Sequence, residues 1–178
     1  MRSRYQTRRG ISLAETVVST LLIGFVLVST LTIVAPLTRS NTVHANSLVA
    51  TNLARELSDE IATKAFIDSS PDSQDALGFD AGDSTFLRST YDDIDDYHKW
   101  SSSPPKHSLG GIYTSMTGWT REVSVDHVMI TEPSKDSPTY TGLKRVTVIV
   151  YKDGTALASM TTLHSSTADT LGFAGPTR

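Results

Sequence analysis

Gly10-Ile11-Ser12-Leu13-Ala14-Glu15-Thr16-Val17-Val18-Ser19-Thr20-Leu21-Leu22-Ile23-Gly24-Phe25 opens the apolar run on which the reading of the chain turns. Positions 16–35 hold 20 residues without a formal charge. A helix of that length, at about 1.5 Å per residue, reaches roughly 30 Å, the thickness of a bilayer core. The run therefore predicts one membrane helix. Its irregularity is Glu15, near the start. A carboxylate in hydrocarbon costs about 2.5–3.5 kcal/mol on insertion scales, so its presence needs a reason.

Arg2, Arg4, Arg8 and Arg9 precede the run and only Arg39 follows closely. The positive-inside rule then puts the N terminus in the cytoplasm and the bulk of the chain outside. A cleaved secretory signal is the first rival, with Val43-His44-Ala45 as its small-residue cleavage site. The apolar stretch is longer than the roughly 7–15 residues of a signal core, which disfavours that reading.

The residues Gly10-Ile11-Ser12-Leu13-Ala14-Glu15-Thr16-Val17-Val18, with Gly24 and further apolar residues behind them, resemble the N-terminal signature of type IV pilin-like proteins. That group comprises pilins, minor pilins and type II secretion pseudopilins. The resemblance implies that a prepilin peptidase cuts between Gly10 and Ile11, that Ile11 becomes the N-methylated terminus, and that Glu15 is the assembly carboxylate. The sequence departs from the pattern at Ile11, where phenylalanine is usual, at Ser12 for threonine, and at Ala14 for a bulkier aliphatic residue. Further along, Asn52-Leu53-Ala54-Arg55-Glu56-Leu57 is similar to minor members of the secretion and pilus-modification branch. The partners implied are the peptidase, other pilin or pseudopilin subunits, an inner-membrane assembly platform and membrane lipid. The location implied is a bacterial inner membrane, crossed once, with a periplasmic head, and a filament after assembly.

Elementary chemistry is consistent with these roles. Cutting after Gly10 frees an α-amine with a reference pKa of about 7.7–8, mostly cationic at neutral pH. Glu15 lies one helical turn from Ile11, and in staggered helices it could instead face the amine of a neighbouring subunit. Either pairing offsets the cost of the buried carboxylate, and breaking a buried pair costs about 3–5 kcal/mol.

Beyond the apolar run, Pro36 lacks a backbone donor and should kink or locally open the helix. The helical pattern resumes with Ala50, Leu53, Ala54, Leu57, Ile61 and Ala65, which form one apolar stripe expected to pack on the protein's own sheet. Glu60 and Lys64 are spaced for an i, i+4 pair. The composition changes near Phe66. Positions 68–96 carry nine aspartates against one arginine, broken by Pro71, Gly78 and Gly82, and read as a solvated connecting region. Within it Asp92, Asp93, Asp95 and Asp96 are hard oxygen donors of the kind that ligate Ca²⁺. They lack EF-hand spacing and a turn glycine. A plain solvated loop is the expectation, with an acidic partner-contact surface and a calcium site as alternatives. No other metal and no cofactor is expected.

The last third reads as an antiparallel sheet. Positions 119–130 alternate in part, Val146-Thr147-Val148-Ile149-Val150-Tyr151 is a β-branched run, and Lys152-Asp153-Gly154 turns into a further strand over 155–163. Positions 110–118 are expected to add an irregular edge strand and 132–141 to form a loop.

Net charge is −3 overall but −7 after Gly10, with 12 basic against 19 acidic residues, which disfavours a basic nucleic-acid surface. There is no cysteine, so thiol chemistry and disulfides are excluded. The five histidines show no metalloprotease spacing, no G-x-S-x-G elbow occurs, and no glycine-rich phosphate loop is present, so no enzyme is expected.

The expectation is an α+β chain of pilin-like arrangement, with a long N-terminal helix, transmembrane in its first half, packed on a small antiparallel sheet. Its divisions are a leader over 1–10, a transmembrane and assembly helix over 11–36, an amphipathic extension over 37–66, and a periplasmic head with the acidic loop over 67–178. Its expected role is that of a structural subunit of a type IV pilus or type II secretion filament. The alternative is an unprocessed single-pass protein presenting a periplasmic binding domain.

Overall fold

The computed structural model describes residue 10 and residues 12–67, 76–79, 83–84 and 87–167, with the side chains of 32–41 excepted. Two compact units divide the chain, Met1–His44 and Ala45–Arg178. The fold is α+β: helix α1 spans Leu13–Ala62, and a small antiparallel sheet follows it in sequence.

In the first unit, Leu13–Leu31 is a helical segment of 19 residues, long and apolar enough to cross a membrane, and none of it is buried. Leu13, Leu21, Phe25 and Leu31 are all exposed along it. Several hydroxyls within the segment turn back on the helix. Thr20 Oγ1 donates to the carbonyl of Thr16 at 3.0 Å, Ser29 Oγ to Phe25 at 2.8 Å and Thr30 Oγ1 to Val26 at 3.0 Å. Such internal bonds satisfy these donors without water, as hydrocarbon requires.

In the second unit the apolar stripe packs as its spacing predicts as far as Ile61, but α1 ends at Ala62, so the helix stops short of the expected 66 and Ala65 lies outside it, half-buried and bridged to Asp93. Ala50, Leu53, Ala54, Leu57 and Ile61 are all buried and share one core cluster with Val123, Val125, Val146, Val148 and Val150 of the sheet. The strands are β1 (Ser101–Ser102), β2 (Trp119–Met129), β3 (Glu132–Asp136), β4 (Leu143–Lys152) and β5 (Thr155–Ser165). Their order is β1-β2-β4-β5, with β3 pairing the end of β2. Val123 faces Val148 and Val125 faces Val146 in the β2–β4 register. Alternation along both strands presents one face to the helix stripe and leaves the other wet, the usual economy of an antiparallel sheet.

The β4–β5 hairpin turns at Asp153 and Gly154 with φ of 49° and 79°, the positive pair that a two-residue primed turn requires. Gly118 is fixed by close approach to this turn. Its φ is +78°, and a Cβ there would sit 2.1 Å from Asp153 Oδ1.

Three regions differ from expectation. Positions 132–141 contain β3 rather than loop alone, because Arg145 of β4 donates to the carbonyls of Pro133 and Ser134 and pairs with Asp136, holding this short edge against the sheet. Pro133 is tolerated because the strand is an edge. Positions 110–118 form no strand, only an isolated bridge from Ile112 to Lys106. The acidic stretch is not a solvated loop over 91–97: Tyr91, Asp93, Ile94, Asp95, Asp96 and Tyr97 are all buried.

Candidate functional site

The first candidate site lies at the start of α1. Ser12 caps the helix: its Oγ accepts the Glu15 backbone N–H at 3.2 Å, and its carbonyl accepts the Thr16 N–H at 3.2 Å. Glu15 is the acid of the first turn, where the helix dipole favours negative charge. Ser12 and Glu15 thus stand at the two positions of a capping box. Ser12-Leu13-Ala14-Glu15 carries that signal in the sequence itself, and it gives the carboxylate a local role besides any intermolecular one. Glu15 and Gly10 are both exposed, and nothing lies within 4 Å of where a Cβ of Gly10 would be. Ile11 lies outside the described residues. Further along, Thr20, Leu21, Gly24, Phe25 and Val28 line an open apolar groove.

The second candidate is the acidic segment in the globular unit. It is tied to the end of α1 by backbone bonds, Ala65 N–H to Asp92 carbonyl at 3.2 Å and Ile94 N–H to Ala65 carbonyl at 3.0 Å. Two aspartates fold it on itself. Asp93 Oδ1 accepts the N–H of Asp95 at 2.7 Å and of Asp96 at 3.3 Å, while Asp96 Oδ2 accepts the N–H of Asp92 at 3.0 Å and of Asp93 at 3.4 Å. Asp95 Oδ2 meets the fully buried Lys144 ammonium at 2.6 Å, and that ammonium also donates to the Phe66 carbonyl. Burial, with Asp83 and Asp93 close by, pushes Asp96 up to about 7. Burial, with Asp95 beside it, pushes Asp93 up to about 6.

The four aspartates singled out from the sequence therefore separate. Asp93 and Asp95 hold the fold. Asp92, exposed, and Asp96, buried, each place a carboxylate oxygen within 4.8 Å of the other's and of Asp83, which the sequence alone does not single out. The spacing of Tyr91, Ile94 and Tyr97 is the available signal for burial, since three apolar residues at intervals of three draw such a turn into a core.

Beside this segment runs a charged network. Glu60 accepts from Arg88 and from the Tyr97 hydroxyl at 2.9 Å, in place of the expected i, i+4 pair with Lys64, whose ammonium donates to the Tyr91 carbonyl. The fully buried Arg121 donates to the Lys106 carbonyl and lies 3.7 Å from Glu56. Burial and the like charge of Arg88 lower the Arg121 pKa. The pairs lock loop, helix and sheet together.

Comparison with models of known families, with curated proteins and with solved structures gives no match for this chain.

Proposed function

We propose that this chain is a pilin-like structural subunit, a minor pilin or minor pseudopilin of a type IV pilus or type II secretion filament. One observation carries the reading: a capped helix begins shortly after Gly10, exposes an apolar surface over the whole of Leu13–Leu31, and has Glu15 as the acid of its first turn. A helix apolar on every side needs lipid or other helices around it. The chain would cross the inner membrane once with the arginine-rich end in the cytoplasm and the globular unit in the periplasm, following the positive-inside rule. Prepilin peptidase would trim it after Gly10, Ile11 would be methylated, and Glu15 would set register against a neighbouring amine. The globular unit would supply contacts along the filament.

A second reading, an unprocessed single-pass anchor carrying a periplasmic binding domain, is favoured by the Ser12 cap, which accounts for an acid at position 15 without any partner. The two separate in a host that has a prepilin peptidase and an assembly platform. Wild type would distribute into sheared filament fractions, while Glu15→Ala would insert in the membrane and stay there. Equal incorporation of both would contradict the role of Glu15.

A further inference from the structure

We propose that Lys144 and Asp95 condense into an amide, a covalent brace between strand β4 and the turn over Asp95–Tyr97. The amine and the carboxylate are already in contact, Nζ to Oδ2 at 2.6 Å, with side chains 0% and 5% exposed. Asp95 Cγ is one bond beyond that oxygen, which brings the nitrogen close to the near-attack range of about 3–3.5 Å. Both partners are held in place. Lys144 lies in β4 between two strands, opposite His127 of β2 and His164 of β5. The Asp95 N–H donates to Asp93 Oδ1 at 2.7 Å, fixing the turn that carries the carboxylate. The Phe66 ring covers Nζ at 4.3 Å, and water is kept from the contact.

A buried ion pair gives up the hydration of two charges, a loss that attraction alone often fails to offset. Burial raises the Asp95 pKa in spite of Lys144, and Asp95 Oδ1 is buried with no hydrogen-bond partner. An amide removes both charges. A proton crosses the existing hydrogen bond from Nζ to Oδ2, which gives a neutral amine and a neutral acid. The nitrogen lone pair attacks Cγ and forms the Nζ–Cγ bond. The Cγ–Oδ2 bond then breaks, the departing hydroxyl takes a second proton from nitrogen, and one water leaves. No oxidant, nucleotide or second protein is consumed. Oδ1 stays as a neutral amide carbonyl, a less costly orphan than a carboxylate oxygen. The one remaining N–H keeps an acceptor, because Nζ already donates to the Phe66 carbonyl at 2.5 Å. The chain has no cysteine and so no disulfide. A bond between residues 49 apart in sequence constrains the unfolded chain as a disulfide does. The brace belongs to the globular unit and stands whether or not the chain is cut after Gly10.

The test is peptide mapping by mass spectrometry of the full chain, purified in detergent, then denatured and digested with trypsin. Trypsin does not cut at an acylated lysine. The expected product is therefore a branched peptide, 89–99 joined to 136–145, one water lighter than the sum of the two. Lys144→Arg keeps a positive charge beside Asp95 but lacks the reactive amine, and it should release 89–99 as a free linear peptide. Because the readout is a covalent mass taken after denaturation, it holds even if that variant folds poorly. Recovery of 89–99 unlinked from the wild type, with cleavage after Lys144, would overturn the proposal and leave an ordinary ion pair. A branch on 89–99 that persists in Lys144→Arg would overturn it as well, by placing the bond elsewhere.

Discussion

Arg88 closes a two-pronged ion pair with Glu60, Nε to Oε1 at 2.8 Å and Nη2 to Oε2 at 2.9 Å, between residues 28 apart in sequence. The same guanidinium donates to the Lys106 carbonyl at 3.0 Å and lies 4.6 Å from the centre of the Trp100 ring. One buried side chain thus joins α1 to two loop segments. Arg88→Met should destabilise the protein by about 3–5 kcal/mol, because it strands a carboxylate that is mostly out of water. Adding Glu60→Gln should recover part of that loss. Urea denaturation of the detergent-solubilised chain measures both, and a single variant within about 0.5 kcal/mol of wild type would contradict the assignment.

The pair also sets an acid sensitivity. Burial alone would raise the Glu60 pKa, but the hydrogen bonds and charge of Arg88, with the Tyr97 hydroxyl, hold it below the ordinary value of 4.5. A group whose folded pKa is depressed contributes stability above its unfolded pKa and loses it as pH falls through the folded one. Tm should therefore drop as pH is lowered below about 4.5, and Glu60→Gln should flatten that drop. Thermal melts between about pH 3 and 6 check the slope. A steeper drop in the variant would mean that the pair acts with the opposite sign.

Much of the fold is legible in the sequence for reasons that can be named. The stripe Ala50, Leu53, Ala54, Leu57 and Ile61 follows helical spacing, and the alternation of Val123 with Val125 and of Val146, Val148 and Val150 follows the two-residue period of a half-buried strand. Asp153-Gly154 states its turn outright. What the sequence hides depends on long-range partners. β3 exists because Arg145, a strand away, grips its carbonyls, and no local pattern in Glu132-Pro133-Ser134-Lys135-Asp136 announces that. The burial of Asp93, Asp95 and Asp96 is hidden because a run of charges reads as solvated, whereas these carboxylates bond to neighbouring backbone N–H groups and to Lys144. Asp83 is hidden because its neighbours in space, Asp92 and Asp96, are not its neighbours in sequence.

Gly118 offers a test of the hairpin contact. Its φ is positive, and a Cβ added to it would lie 2.1 Å from Asp153 Oδ1 and 2.9 Å from Lys152 Nζ, so Gly118→Ala must strain the backbone and push these two side chains aside. A loss of about 1–3 kcal/mol is expected by thermal melting. Asp153→Gly added to it should remove the closest contact and recover part of the loss, leaving the backbone strain and the contact with Lys152 Nζ. Full tolerance of the single alanine would contradict this packing.

At the other end of the chain, Ser12→Ala removes the acceptor of the Glu15 N–H and should cost about 1 kcal/mol of helix-terminal stability. Hydrogen exchange in the first helical turn should quicken, while membrane insertion stays normal. Unchanged exchange would mean that the cap does not hold the terminus.

The most direct test of the central claim is the mass of the N-terminal peptide of membrane-extracted protein, expressed with and without a prepilin peptidase. The account predicts a peptide beginning at N-methylated Ile11 only when the peptidase is present. An intact Met1 or Arg2 terminus under both conditions would contradict it and leave a plain membrane anchor, and a start at Asn46 would mean a secreted protein.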